Sequence, residues 1–529
     1  MRRFSSYGPV NPKSNFCVER RALVDRCVDE LVGGPDEEGG HYFTLWAPRQ
    51  TGKTWIMRRA IEEIRARYGE RFRVGTFSMQ AVAVEGGDPK EAFFKFVPEL
   101  LDRAFGVKAP MPEDWAGWTR LFARKEGYFE GPAILCIDEF DNLPKELIDR
   151  LVALFRDIYL NRGSSFLHGL ALVGVRSVLG VDSARGSPFN VQRSFHVPNL
   201  THDEVAELFA QYQAESGQAV DPQVVDAIFE ATRGQPALVS WFGELCVEKY
   251  NPGPTEPISP AVWRRVFARA CQVEQSNTIL NLLAKARGPY LPQVTALFTD
   301  PNVPFVQDKE WCSFLYQNGV IDEALVPDDP EEPRSVCRFS SPFVQRRLFA
   351  ALTGDMFGER GPILAVEPSD TLSDVFLPDR LCLPPLLDRY RGYLKRLKAR
   401  GIDPWQGQPR RADLHLTEAV GHFHLYAWLR DALLERCLIT PEFPTGNGKV
   451  DLVLSAEGHT GVVEVKSFVN MYLLQKGHAQ TAGYAKKLGL SEATMAVFVP
   501  VPEAEIPEGM AGDVVLDGVT VHVVALGWV

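Results

Sequence analysis

Two groups of residues in this sequence have types and spacings that could do chemistry. The first is "APRQTGKT", Ala47 to Thr54, followed later by "AILCIDEFD". A loop of small residues can wrap its backbone N–H groups around a β-phosphate. Gly52 permits the tight entry into a helix. Lys53 offers a point charge to the β- and γ-oxygens, and Thr54 a hydroxyl to Mg²⁺. Ala47 stands where the pattern has Gly, and Ala is the next smallest side chain. The helix expected to begin near Gly52 aims its positive end at the same phosphates. At the end of the later apolar run, Asp138 suits a water-mediated Mg²⁺ contact and Glu139 suits orientation of an attacking water. Solvated acids at a strand end are the plainer alternative. The loop upstream favours the functional reading. Arg176, just past the run "LALVGV", is in position to sense a γ-phosphate or to be a surface arginine.

The second group lies in "TGNGKVDLVLSAEGHTGVVEVKS". Glu464 and Lys466 are two apart on an expected strand, so they share a face. Asp451 opens the neighbouring strand. Two carboxylates and a lysine there make a hard-oxygen site for Mg²⁺ or Mn²⁺, able to activate water at a phosphate. A surface hairpin with alternating charges is the alternative. The apolar neighbours of Glu464 argue against it, because they predict a concave face around the pair. Gln480 and Tyr484 follow at i, i+4 on one helical face, and Glu418 opens a helix upstream. Glu442 and Glu457 are taken as surface carboxylates.

The elements that must position these groups follow from apolar patterning. Apolar runs at 42–47, 72–79, 133–137, 169–175 and 194–197 alternate with helical patterns and predict a parallel sheet with crossover helices. Residues 1–200 are expected to form this core and 201–255 a helical lid, opened by Thr201 as an N-cap. Residues 256–352 read as a winged-helix-like module and 353–385 as a Pro-, Gly- and Asp-rich linker. Residues 386–529 start in helices and end in strands. Within 389–411 there are eight basic residues against Asp403, interleaved with Tyr390, Tyr393 and Trp405. That pattern suits either a phosphate-tracking surface or a solvated helix over core aromatics.

The chain has 529 residues, too many for one core, and its net charge of −11 does not advertise nucleic-acid binding. The nine cysteines show no C-x-x-C and the ten histidines no ligand spacing, which argues for reduced thiols and against zinc or haem. No apolar run reaches the length of a membrane span and no secretory leader is evident. A cytoplasmic protein with no membrane partner is expected.

The order "SYGPVNPKSNFCVERR", "APRQTGKT", "CIDEFD", "VGVRS", "SPFNV" and "RGQPALV" resembles AAA-like ATPases near the STAND branch of P-loop NTPases, over about residues 5–350. The resemblance implies ATP bound across Ala47, Pro48, Arg49, Gln50, Thr51, Gly52, Lys53 and Thr54. It implies Arg176 as sensor and Pro236 in a lid near the base. It selects no trans arginine finger between Arg185 and Arg193. Residues 386–500 resemble the PD-(D/E)XK nuclease superfamily, with Glu418, Asp451, Glu464, Lys466, Gln480 and Tyr484 in its order. Val450 replaces the proline of its name. That resemblance implies an αβββαβ core and a metal held by Glu418, Asp451 and Glu464. Together they imply an α/β multidomain, homo-oligomeric ATPase controlling a DNA nuclease. Roles in bacterial defence against foreign DNA, mobile-element biology or repair would suit it, with a protein or nucleic-acid trigger. The other reading is a STAND-type ATP-driven switch whose C-terminal domain binds nucleic acid or a partner without cutting. A processive helicase lacks further motor motifs.

Overall fold

The five apolar runs form five parallel strands: β1 (Tyr42–Trp46), β2 (Arg73–Ser78), β3 (Ala133–Asp138), β4 (Leu167–Gly174) and β5 (Arg193–His196). Their order is β2-β3-β4-β1-β5, all pairs being parallel. In β3 and β4, alternate residues feed separate cores. Leu135 and Ile137 of β3 pack with Phe93, Trp118 and Phe155 on one face. Ile134 and Cys136 pack with Ile56, Ile61 and Val28 on the other. Burial on both faces is why β1, β3 and β4 read as continuous apolar runs rather than alternating ones.

The computed structural model describes residues 1–8, 10–80, 82, 88–125, 127–174, 193–298, 300, 302–326, 334–358, 363–408, 410, 413, 415–441, 451–456 and 458–529. Arg176, Arg185, Glu442, Val450 and Glu457 lie outside the described residues, as do "SPFNV" and the glycine-rich turn before Asp451. Among the described residues no helix is long and apolar enough to cross a membrane.

The chain divides into two compact units: Met1–Leu282 with Gln307–Val320, and Leu283–Val306 with Ile321–Val529. In the first, the expected lid is three helices, His202–Ser216, Pro222–Thr232 and Pro236–Glu244. Thr201 and Glu204 close a reciprocal capping box at its start. Proline occupies the first turn of the second and third helices, where the missing N–H costs nothing.

The segment 256–352, expected as one module, is divided between the units. Tyr316 packs edge-on against Trp46 within the first, at 5.8 Å between ring centroids. In the second, β6 (Ile321–Val326) and β7 (Arg334–Phe339) form an antiparallel pair followed by the helix Pro342–Phe357. Phe349 of that helix stacks on Phe423, at 4.3 Å and 19°.

The second unit also holds a six-stranded sheet. Its strands are β8 (Leu438–Pro441), β9 (Leu452–Ala456), β10 (His459–Ser467), β11 (Glu492–Val499), β12 (Gly512–Leu516) and β13 (Val519–Gly527), in the order β12-β13-β11-β10-β9-β8. β8, β9 and β10 are antiparallel neighbours, and β11 runs parallel to β10 and β13. The helix Glu418–Leu433 precedes β8, and Met471–Lys487 connects β10 to β11.

Two sequence expectations change here. Residues 353–385 are not a bare linker: Ala365, Leu372, Val375, Leu381 and Leu383 are buried in the second unit's core. The same core takes up Tyr390, Tyr393 and Trp405. Of the two readings of 389–411, the aromatics therefore follow the packing one. Several cations there are also engaged. Arg389 pairs with Asp370 and Asp374, and Arg391 with Asp388 and Glu503.

Candidate functional site

The phosphate loop sits between the end of β1 and the helix Lys53–Tyr68. Gly52 has φ of +90° and open space where a Cβ would stand, so its hydrogen is a backbone requirement rather than a packing one. Ala47 is fully buried among the apolar residues beneath the sheet, so a methyl fits where the pattern has Gly. The helix leaves its first-turn N–H groups without intrahelical acceptors, the chemistry needed to receive phosphate oxygens. Thr51 Oγ1 donates to Pro48 O at 2.9 Å and holds the loop's turn. The Arg49 and Gln50 carbonyls face Gln235 Nε2 at 3.5 Å. Gln235 caps the helix that Pro236 opens, so the lid residue reaches the loop through its neighbour. Gln50 also bonds to Thr278 through their side chains.

Lys53 Nζ donates to Ala47 O at 2.9 Å and Pro48 O at 2.7 Å. Burial pushes the lysine down to about 8, against the pull of Asp141 and Asp138. Thr54 Oγ1 donates to Asp138 Oδ2 at 2.8 Å, bringing together the two oxygens expected around Mg²⁺. Glu139 takes a left-handed conformation, φ 55°. Its carboxyl is held above the ordinary carboxylate range by burial and by Asp138, as suits a group that handles a water proton.

Asp141 was missed in the sequence. It is among the carboxylates that pull on Lys53, and a Cβ on Gly174 would come 2.6 Å from its Oδ1. The signal was available as the third acid of "DEFD". Arg193 is described, on β5, where it pairs with Glu30 at 2.5 Å.

The second group assembles around β10. Its Val463 and Val465 enter the core shared with the helix Glu418–Leu433, and Val462 enters the core under the helix Met471–Lys487. Glu464 and Lys466 share the Val462 face by alternation. That face is covered by a helix rather than open as expected: Glu464 is 1% exposed and Asp451 4%. The backbone N–H of Val465 donates to Asp451 Oδ2 at 2.6 Å. Lys466 Nζ lies 2.8 Å from Glu464 Oε1 and 3.1 Å from Glu418 Oε1. Gln480 Nε2 donates to Tyr484 OH at 2.9 Å.

Burial and the charge of Glu464 hold Asp451 well above the carboxylate range. Burial raises Glu464 too, against the pull of Lys466. For Lys466, burial is outweighed by Glu418, Glu464 and Asp451, and its ammonium is held well above the ordinary lysine value. Glu464 Oε2 has no hydrogen-bond partner among the described residues, a costly state for a buried carboxylate oxygen. Among the described residues no group of three or more His, Cys, Asp or Glu is arranged to hold a metal ion.

Residues 5–249 match the family described as the AAA-like domain, and they form an AAA-like P-loop ATPase domain. No curated protein matches the chain. Solved structures with similarity include a Walker-type ATPase of Pyrococcus abyssi, at 15% identity and TM-score 0.44, covering 65% of this chain and 99% of that one. Others are the Aeropyrum pernix Orc1 protein in complex with DNA, at 15% identity and TM-score 0.31, over 62% and 91% of the two chains, and Cdc6p from Pyrobaculum aerophilum, at 13% and 0.37, over 65% and 95%.

Proposed function

We propose that the chain couples ATP binding and hydrolysis to metal-dependent cleavage of DNA by its C-terminal unit. For the nucleotide half, the support is the Lys53, Thr54–Asp138 and Glu139 arrangement on a domain of ATPase type. Lys53 would leave the Ala47 and Pro48 carbonyls for phosphate oxygens. Thr54 and Asp138 would hold Mg²⁺, and Glu139 would orient the attacking water.

One observation carries the nuclease half. Asp451, just before β9, and Glu464 on the adjoining β10 are both buried, and one Glu464 oxygen lacks a partner among the described residues. Two such carboxylates suit a hard divalent cation that keeps several waters. Mg²⁺ or Mn²⁺, when bound, supplies charge to a phosphodiester and acidity to a water. Asp451 and Glu464 would hold the ion, with Glu418 behind Lys466. The Lys466 ammonium would stabilise charge developing on the phosphate. Gln480 and Tyr484 would position one another beside that charge. The element order of helix, three antiparallel strands, helix and parallel strand supports the same reading.

The enclosure of Asp451 and Glu464, 4% and 1% exposed, favours a second reading, in which the C-terminal unit binds nucleic acid without cutting. The purified chain incubated with linear, circular and single-stranded DNA, with Mg²⁺ or Mn²⁺ and with or without ATP, separates the two. Cleavage lost in Lys466→Ala supports the first. Binding without any cleavage supports the second.

A further inference from the structure

Of the eight basic residues at 389–411, Arg389, Arg391 and Arg396 pair with carboxylates, and the aromatics among them are buried. A different segment has the complementary character. Between Glu464 and Glu492 the sequence has no Asp or Glu, yet carries Lys466, Lys476, Lys486 and Lys487. In a chain of net charge −11, that is a local positive stretch of 27 residues containing the whole helix Met471–Lys487.

This helix runs past the candidate site. Gly477 faces inward, and a Cβ there would lie 3.9 Å from the Lys466 side-chain stem and 3.3 Å from Met495. Its outer face is exposed at Lys476, Gln480, Lys486 and Lys487. Its first turn is unusual for a surface: Tyr472 is 73% exposed, Met471 48% and Leu473 43%. Three adjacent apolar side chains in water need a reason. Tyr472 and Lys476 are four residues apart, so an aromatic face and a cation stand on one side of the helix. Stacking platforms beside cations are how proteins hold single-stranded nucleic acid.

We propose that the helix Met471–Lys487 is the track for a single-stranded nucleic acid, with an unpaired base stacked on Tyr472 and the phosphates passing Lys476 toward Lys466. The proposal rests on the nuclease reading for its direction and narrows the substrate to single strands, frayed ends or flaps.

The test is fluorescence anisotropy of the full chain with labelled oligothymidylate of about 20 nucleotides and with a blunt duplex of the same length, in EDTA. Stacking contributes about 1–3 kcal/mol per base, so Tyr472→Ala is expected to weaken oligothymidylate binding about 5- to 150-fold. Duplex binding should change less, and Tyr472→Trp should retain the single-strand affinity. Charge reversal of Lys476, Lys486 and Lys487 together should lower the salt dependence of binding by roughly two in log–log slope. Melting temperatures of all variants report on folding. Unchanged oligothymidylate binding in both the Tyr472→Ala and the charge-reversed chain overturns the proposal, as does binding only to anionic vesicles. If the wild type binds through Tyr472 but cleaves nothing, the track stands and the nuclease reading falls. If single strands are cleaved equally well by Tyr472→Ala, the reverse holds.

Discussion

Gly319 lies against Pro48 of the phosphate loop: a Cβ on Gly319 would come within 2.8 Å of the proline's Cβ. Gly319 has φ of +76°, so it is glycine for two reasons. The chain leaves the first unit one residue later, at Val320. The segment that supports the nucleotide loop is thus continuous in sequence with β6 of the second unit. We predict that Gly319→Ala lowers the melting temperature of the first unit, at a cost of about 1–3 kcal/mol from overpacking on top of the left-handed strain. ATP affinity, read by fluorescent-nucleotide titration, should fall with it. Unchanged melting and affinity would mean that the contact does not constrain the loop.

The loop itself makes a second prediction. Lys53→Ala removes the only cation among Ala47–Thr54 besides Arg49, and ATP turnover should fall to background. Glu139→Gln keeps the carbonyl acceptor but not the base, so hydrolysis should drop while ATP binding persists. Phosphate release and nucleotide binding, measured side by side, check this. Glu139→Gln hydrolysing at the wild-type rate would remove Glu139 from the mechanism.

A third prediction concerns acid stability. His424 is buried between Trp405 and Phe357, with Nδ1 2.6 Å from Tyr390 OH. Burial holds its imidazole down to about 3. The unfolded chain takes up a proton near the ordinary value of about 6.5, whereas the folded chain resists until about 3. The unfolded state therefore binds more protons between those values. Stability from this group is fully present above the unfolded value and is lost as pH falls, by up to about 1.4 kcal/mol per pH unit. Urea midpoints at pH 7.5 and 5.5 should differ less in His424→Asn than in the wild type. An equal difference would assign the acid sensitivity elsewhere.

Much of this was legible in the sequence, and the reasons differ by element. Strands β1, β3 and β4 of the first unit were readable because a doubly covered parallel strand must be apolar throughout. Thr201 and Glu204 announced their helix because a capping box is a local event. The burial of Tyr390, Tyr393 and Trp405 was not readable, because a helix with alternating cations and aromatics looks the same whichever face is packed. The packing of Leu372 and Val375 was hidden by the Pro, Gly and Asp residues around them, which fix local turns but not long-range burial. At the second site, the shared face of Glu464 and Lys466 followed from strand periodicity. The helix that covers that face did not, since it depends on β10 and β11 being parallel neighbours.

The most direct measurement of the central claim is the cleavage rate of end-labelled DNA by the full chain in Mn²⁺ or Mg²⁺, wild type against Glu464→Gln. Metal-dependent cleavage by the wild type is expected, with a loss on the order of 100-fold or more in the variant, comparable to removing a main source of transition-state charge stabilisation. Equal rates in the two proteins would contradict the claim.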